Sequence, residues 1–253
     1  NATALASLFN IKIDGATPDA SIIFTTTCAD YAKVKVGTVG NYPVTVKHGN
    51  LTATASIEVG LDINSTNFGD TAFQNYLKSE KEDTGQNKDE FFTADELSQV
   101  TGIDVMNLGI TEIKGLGYFK NLTELKCSNN PLTNGLDVSG CGALEVLWCS
   151  NNNLTELNVS DNPNLTELFC DSNQLEELNV TGLTRLQTLH CTKNVLTNLN
   201  LNGLWALNTV DASQQVIETL MMDYQDGSNE WLNIGSDGRD GVRVFHDGIM
   251  EFK

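Results

Sequence analysis

From Leu122 onward the chain repeats a single pattern every 21 or 22 residues, and no other property narrows its possible folds as far. The segment Leu122-Thr-Glu-Leu125-Lys-Cys127-Ser-Asn-Asn130-Pro-Leu132 has the form LxxLxCxxNxL. It returns as Leu144, Leu147, Cys149, Asn152 and Leu154, then as Leu165, Leu168, Cys170, Asn173 and Leu175, and again as Leu186, Leu189, Cys191, Asn194 and Leu196. The four cysteines are spaced by 22, 21 and 21 residues. A weaker copy follows as Leu207, Val210, Ala212, Gln215 and Ile217. Upstream, Val100, Ile103, Val105, Leu108, Ile110 and Ile113 fit the same template, with Leu108 at the asparagine position, so six rungs are expected.

A period of this length with this leucine spacing marks a leucine-rich repeat, in which each copy supplies one short strand and an extended return. No copy can bury its apolar side alone, so the copies stack into a solenoid of parallel strands, expected as a right-handed coil of α/β to mainly β class. Successive side chains of a strand point to opposite faces. Leu125 and Cys127 therefore face inward, and Glu124, Lys126 and Ser128 outward. Asn130, Asn152, Asn173 and Asn194 fall where the chain leaves the strand, and an inward amide there satisfies backbone groups that the bend leaves unpaired. The thiols are expected as a buried column of small, soft side chains. A linear column offers no tetrahedral closure, so no zinc site is expected. Cys141, in Gly140-Cys141-Gly142, falls outside the pattern.

Outward positions also recur with the rungs and form columns across the sheet. The central column reads Lys126, Trp148, Phe169, His190 and Asp211. Its flanks read Glu124, Val146, Glu167, Thr188, Thr209 and Ser128, Ser150, Asp171, Thr192, Ser213. Trp148, Phe169 and His190 place an aromatic strip where a solvated face alone requires none. This strip is the expected ligand-binding surface, with Lys126, Glu167 and Asp171 as its polar rim; alternatively, the rings simply pack on one another.

The cysteine-bearing repeat resembles those of internalin-like bacterial surface proteins and of similar proteins on gut Bacteroidetes-type cells, over residues 61–222. The segments Asn67-Phe68-Gly-Asp-Thr-Ala-Phe73-Gln-Asn-Tyr76-Leu77 and Phe92-Thr-Ala-Asp-Glu96-Leu97 resemble the small helical cap that opens such solenoids. The resemblance implies an exported, surface-anchored binding or adhesion protein without naming its partner. The family's cap often carries an EF-hand-like loop, but here Gly85 stands at the first loop position and Glu90 where the sharp turn wants glycine, so calcium is not expected there. Thr93 and Glu96 read instead as a helix-opening capping box.

Residues 1–60 alternate strand-like runs (11–13, 21–24, 32–36, 42–46 and 52–59) with turn signals such as Asp14-Gly15 and Gly49-Asn50. The closing run resembles the last hairpin of bacterial Ig-like domains. After Met222, Asp-Gly pairs mark tight turns, and residues 242–252 read as a hairpin that covers the solenoid's open end. The expected domains are an Ig-like all-β module (1–60), a helical cap (61–99), leucine-rich repeats (100–222) and a C-terminal β-hairpin cap (223–253). The carboxylates of Asp226, Glu230, Asp237 and Asp240 leave calcium open at that end, although Asp-Gly pairs are more often turns.

With 33 acidic and 15 basic residues, the net charge of −18 repels phosphate backbones and anionic lipid, so nucleic acid is not an expected partner. No stretch reaches the ~20 apolar residues of a membrane span. The chain begins at Asn1, which fits anchoring through a removed N-terminal segment. His48, His190 and His246 fall in three separate segments, and His190 with Asp171 and Asp211 is the sole acid and base grouping available. It stands on an open sheet without walls to exclude water, so no enzyme activity and no cofactor are expected. Sequons at Asn121, Asn153, Asn164 and Asn179 arise from the repeat itself. The expected partner is a protein at the cell exterior, the chain acting as a monomer; a glycan ligand or a spacer role without ligand are the alternatives.

Overall fold

The computed structural model describes residues 23–25, 39–48, 51–83, 91–133, 135–215, 217, 219–223, 229–233, 242–244 and 250–252. The chain divides into two compact units, residues 1–63 with 89–97, and residues 64–88 with 98–253.

In the first unit, strands Ile23–Thr25, Gly40–His48 and Leu51–Val59 form an antiparallel sheet with the long central strand between its neighbours. Alternating Val and Thr residues favour such pairing. The strands expected at 11–13 and 32–36 lie outside the described residues. Leu61–Asp62 pairs antiparallel with Phe91–Phe92, and Leu61, Ile63, Phe92 and Leu97 are buried. Gly60 is required beside that pair, because a Cβ there would lie 1.9 Å from the Phe91 ring. The Thr93 and Glu96 capping box forms as expected. The Thr93 amide donates to Glu96 Oε2 (2.7 Å) and the Glu96 amide to Thr93 Oγ1 (3.2 Å), opening the helix Ala94–Gln99. The residues considered for a calcium loop, 85–90, lie outside the described residues.

The second unit opens with helices α1 (Ser65–Phe68) and α2 (Thr71–Asp83). Asn64 Oδ1 accepts the amides of Thr66 and Asn67, and Asp70 Oδ1 accepts the Ala72 amide at 2.6 Å, so each helix start has a side-chain acceptor for its unpaired donors. Phe68, Phe73, Leu77 and Phe119 are buried together; the Phe68 ring meets Phe73 edge-on (6.2 Å) and stacks on Phe119 (5.9 Å). Gly115, with φ +76°, allows the chain to pass within a Cβ's reach (2.4 Å) of the Asn67 carbonyl.

Six parallel strands follow: β1 (Gly102–Asp104), β2 (Glu124–Lys126), β3 (Val146–Trp148), β4 (Glu167–Phe169), β5 (Thr188–His190) and β6 (Thr209–Asp211). Ile103, Leu125, Leu147, Leu168, Leu189 and Val210 are in register and buried, so the coil makes about five turns around a core of stacked aliphatic side chains. Burying one such side chain contributes roughly 1.5–3 kcal/mol. Cys127, Cys149, Cys170 and Cys191 are free thiols with no exposed surface, forming the expected ladder. Each strand residue beyond the register set still bonds its neighbour rung, as in Cys127 N–H to the Trp148 carbonyl (2.7 Å).

The amide column behaves as its chemistry requires. Asn152 Nδ2 donates to the carbonyls of Cys127 (3.1 Å) and Cys149 (2.9 Å), while its Oδ1 accepts the Leu132 amide (3.3 Å). Asn130, Asn173 and Asn194 repeat this, and Gln215 takes the same role in the weak copy through the Cys191 and Ala212 carbonyls. Each asparagine thus ties its own rung to the preceding one. Leu108, at the asparagine position of the first rung, is 45% exposed instead of inward, since that rung has no preceding strand whose carbonyls an amide would satisfy.

Three other placements differ from the alternation rule. Ser128 and Ser213, expected outward, are buried at 7% exposure. The Ser128 hydroxyl accepts the Ser150 amide (3.1 Å), which draws it down against the next rung. Cys141 does belong to a repeat: Phe119, Cys141, Asn162, Leu183 and Leu204 form a second buried column, in which the Cys141 thiol donates to the Leu116 carbonyl (3.5 Å) and Asn162 Nδ2 to the carbonyls of Val138 and Cys141. Beyond β6, Val242–Val244 pairs antiparallel with both β6 and Met250–Phe252. Asn198–Asn200, Thr219–Asp223 and Asn229–Asn233 form a separate sheet. Asp226, Asp237, Asp240 and His246 lie outside the described residues.

Candidate functional site

Parallel register brings the central outward column into line. Asp104, Lys126, Trp148, Phe169, His190 and Asp211 occupy equivalent positions on six neighbouring strands. Because adjacent strands lie ~4.8 Å apart, planar side chains on successive rungs fall close to stacking distance. Trp148 and Phe169 stack with centroids 5.3 Å apart and planes 3° from parallel. Phe169 and His190 stack at 4.5 Å and 21°. Lys126 Nζ sits 4.5 Å from the Trp148 ring centre on the side away from Phe169, where the ring's negative face attracts the ammonium. All of these side chains except the exposed Asp104 are half-buried.

The flanking columns hold this stack in place. Lys126 forms an ion pair with Glu124, whose hydrogen bond, against the effect of burial, raises the ammonium above its usual range; Asp104 and Glu167 act in the same direction. Trp148 Nε1 donates to Glu167 Oε2 (3.3 Å), fixing the indole's rotation. On the other flank Asp171 Oδ2 accepts the Ser150 hydroxyl (3.0 Å), and Oδ1 accepts both the amide and the hydroxyl of Thr192 (3.0 Å each). Asp171 therefore serves as a strut linking three rungs as well as a surface charge. Asp211 Oδ1 accepts the Ser213 amide (3.1 Å).

All seven expected site residues, Lys126, Trp148, Phe169, His190, Asp211, Glu167 and Asp171, thus lie on one face of one sheet. Asp104 extends the outward column beyond the residues read from the sequence: Ile103 and Val105 on either side are buried, and alternation turns Asp104 outward. The stack also constrains chemistry. Both faces of the Phe169 ring are covered, by Trp148 and His190, and both faces of Trp148, by Phe169 and Lys126. What the column offers to a ligand is a ridge of ring edges flanked by carboxylates.

Burial pushes the Cys127 thiol up to about 12 and raises Cys149, Cys170 and Cys191 in the same direction, so the ladder stays protonated at neutral pH. Among the described residues no group of His, Cys, Asp and Glu side chains is arranged to hold a metal ion, and no helix is long and apolar enough to cross a membrane.

A coil of parallel strands whose thiols and amides stack inward is a leucine-rich-repeat solenoid of the cysteine-ladder kind. Solved structures of internalins from Listeria monocytogenes share the solenoid fold. The functional domain of InlJ, which includes a cysteine ladder, is 27% identical with a TM-score of 0.54, over 62% of this chain and 39% of that one. The internalin inlF is 18% identical with a TM-score of 0.56, over 66% of this chain and 54% of that one. Internalin C2 is 24% identical with a TM-score of 0.50, over 65% of this chain and 78% of that one. The chain therefore spans 39% and 54% of the first two, and the fold they share with it is the internalin-like solenoid. No protein-family model matches the chain, and no curated protein does.

Proposed function

We propose that this chain is a non-enzymatic, exported binding protein that recognises another protein through the outer face of its parallel sheet. The observation that carries the reading is the stack of Trp148, Phe169 and His190, held by Lys126 and Glu167 across three strands. Prearranged aromatic groups cost little entropy on binding, and such groups dominate protein interfaces. The internalin-like fold supports the same reading, since stacked repeats build a broad ordered surface suited to a large partner. A glycan is the weaker reading for this face. Sugars stack on exposed ring faces, and here those faces are turned on one another. Catalysis has little support either: His190 stands on an open sheet with no wall to exclude water.

In this reading residues 1–60 form an Ig-like spacer, 61–99 a cap, 100–222 the recognition solenoid and 223–253 a C-terminal cap in which strand Val242–Val244 covers the edge of β6. The protein acts as a monomer held at the cell surface through its N-terminal side. Parallel screens of the full chain on arrays of extracellular proteins and of glycans test the recognition claim, with the Trp148→Ala and Phe169→Ala double variant beside the wild type. The expected result is a protein signal that the double variant loses while it remains folded. Protein signals that survive the double substitution, or glycan signals competed by free monosaccharide, overturn it.

A further inference from the structure

The proposed recognition face has a chemistry that narrows its partner. Across the first five strands its three outward columns carry four carboxylates, Asp104, Glu124, Glu167 and Asp171, against one ammonium, Lys126, which is already engaged by Glu124 and the Trp148 ring. The carboxylates line the ridge on both sides, Glu124 and Glu167 along one flank and Asp171 along the other, with Asp104 at its end. Neighbouring strands are ~4.8 Å apart, so these charges lie close enough for their fields to add within one or two Debye lengths. The ridge between them is apolar, formed by ring edges of Trp148 and Phe169.

Resting on the reading of this face as the protein-binding surface, we infer that the partner presents a basic segment, with apolar side chains seated along the ridge and arginine or lysine side chains on both flanks. Charge complementarity selects that occupant. A second copy of the chain would set like charges against one another, in a protein of net charge −18, and an acidic partner would meet the same repulsion. The flank carboxylates are also prearranged: Glu167 is oriented by the Trp148 indole and Asp171 by Ser150 and Thr192, so a cation meets fixed acceptors.

The test uses the full chain and a short labelled peptide alternating arginine with tyrosine, followed by fluorescence anisotropy, with glutamate replacing arginine in a control peptide. A matched variant controls for overall charge. Asp104→Asn, Glu124→Gln and Glu167→Gln together remove three charges from the ridge; Glu156→Gln, Glu176→Gln and Glu177→Gln remove three from the acidic groove that also contains Asp137 on another part of the solenoid. The ridge variant is expected to weaken the arginine peptide by at least ~10-fold and the groove variant by less than ~2-fold. Wild-type affinity is expected to fall steeply as salt rises from ~0.05 to ~0.5 M. Equal losses in the two variants, binding of the glutamate peptide as tight as that of the arginine peptide, salt-insensitive binding or no arginine-peptide binding overturn the inference. If any of these occurs while the Trp148→Ala and Phe169→Ala variant still loses its protein partner, the recognition face stands and only its cationic preference falls.

Discussion

Asn173 of one rung holds Cys149 of the rung before it: the asparagine Nδ2 donates to the Cys149 carbonyl at 3.0 Å, and to its own rung's Cys170 carbonyl at 3.0 Å. Its Oδ1 meanwhile accepts the Leu154 amide at 3.1 Å. One buried side chain thus satisfies three buried backbone groups on two rungs. Replacing it with alanine leaves the Leu154 amide unpaired, while the Cys149 and Cys170 carbonyls keep Asn152 and Asn194 as donors, and the expected loss is about 1–3 kcal/mol. Asn173→Gln is expected to lose less, because Gln215 performs the same task two rungs on. Urea unfolding of the two variants checks the order; equal stability of Asn173→Ala and wild type overturns the account.

The thiol ladder yields a pH prediction. Burial raises Cys127 from 9.0 to about 12, and Cys149, Cys170 and Cys191 move the same way. Unfolding restores an ordinary thiol, so above the unfolded value the unfolded state releases protons that the folded state keeps. The stabilisation is complete below about pH 9 and declines as pH rises toward the folded values. Stability measured by urea unfolding between ~pH 7 and ~pH 10 is expected to decline, with a shallower decline when Cys149 and Cys170 are replaced by alanine. A thiol reagent is expected to label the four cysteines only at the rate of unfolding, and rapid labelling of the folded protein contradicts the buried ladder.

The rungs and their inward sets were legible because the repeat is strict: leucine, cysteine and asparagine recur at fixed spacing, and alternation assigns their faces. Gln215 could be placed in the amide column even though its residue type differs. The Cys141 column was not legible, since Phe119, Cys141, Asn162, Leu183 and Leu204 share neither size nor polarity. Nor could alternation foresee that Asp171 would tie Ser150 to Thr192, because that depends on rotamers set by three rungs together. The alignment of Trp148 with Phe169 and His190 could be read from spacing, while the covering of their ring faces depends on rotamers that spacing does not set.

The cap of the second unit is fastened by one carboxylate. Asp70 Oδ2 accepts the Thr111 amide (3.1 Å) and hydroxyl (2.7 Å), while Oδ1 caps α2. Burial raises its carboxyl, but the Thr111 hydroxyl and the amides of Thr111, Ala72 and Phe73 outweigh that and leave it below 3.8. A lowered carboxyl stabilises the fold above its unfolded value, near pH 4, and that contribution disappears as pH falls through the folded value. Asp70→Asn keeps an oxygen to cap α2 but loses the acceptor that Thr111 uses, and is expected to cost about 1 kcal/mol at neutral pH and to make acid unfolding less steep. Amide exchange in α2, faster in the variant at pH 7 but not at pH 2, checks both parts.

Every rung turns its corner through one residue with a left-handed backbone: Asn107 (φ 60°), Asn129 (59°), Asn151 (54°), Ser172 (53°), Lys193 (52°) and Gln214 (59°). Asparagine tolerates this conformation, whereas other L-residues crowd Cβ against the backbone at a cost of roughly 1–2 kcal/mol. Asn107, Asn129 and Asn151 meet the requirement; Ser172, Lys193 and Gln214 do not. At the first five corners the carbonyl of the following rung still captures the corner amide, as in Ser172 N–H to the Thr192 carbonyl at 2.8 Å, so the geometry is imposed by stacking even where the residue resists it. Relieving that conflict is expected to stabilise the solenoid: Ser172→Asn and Lys193→Asn should each add ~0.5–1 kcal/mol, and Asn151→Val should remove more than that. Lys193 is exposed and can be changed without disturbing the core, so its substitution isolates the backbone effect. Thermal unfolding of the three variants decides the matter, and a Lys193→Asn variant no more stable than wild type, alongside an undamaged Asn151→Val, would show that the corners carry no strain.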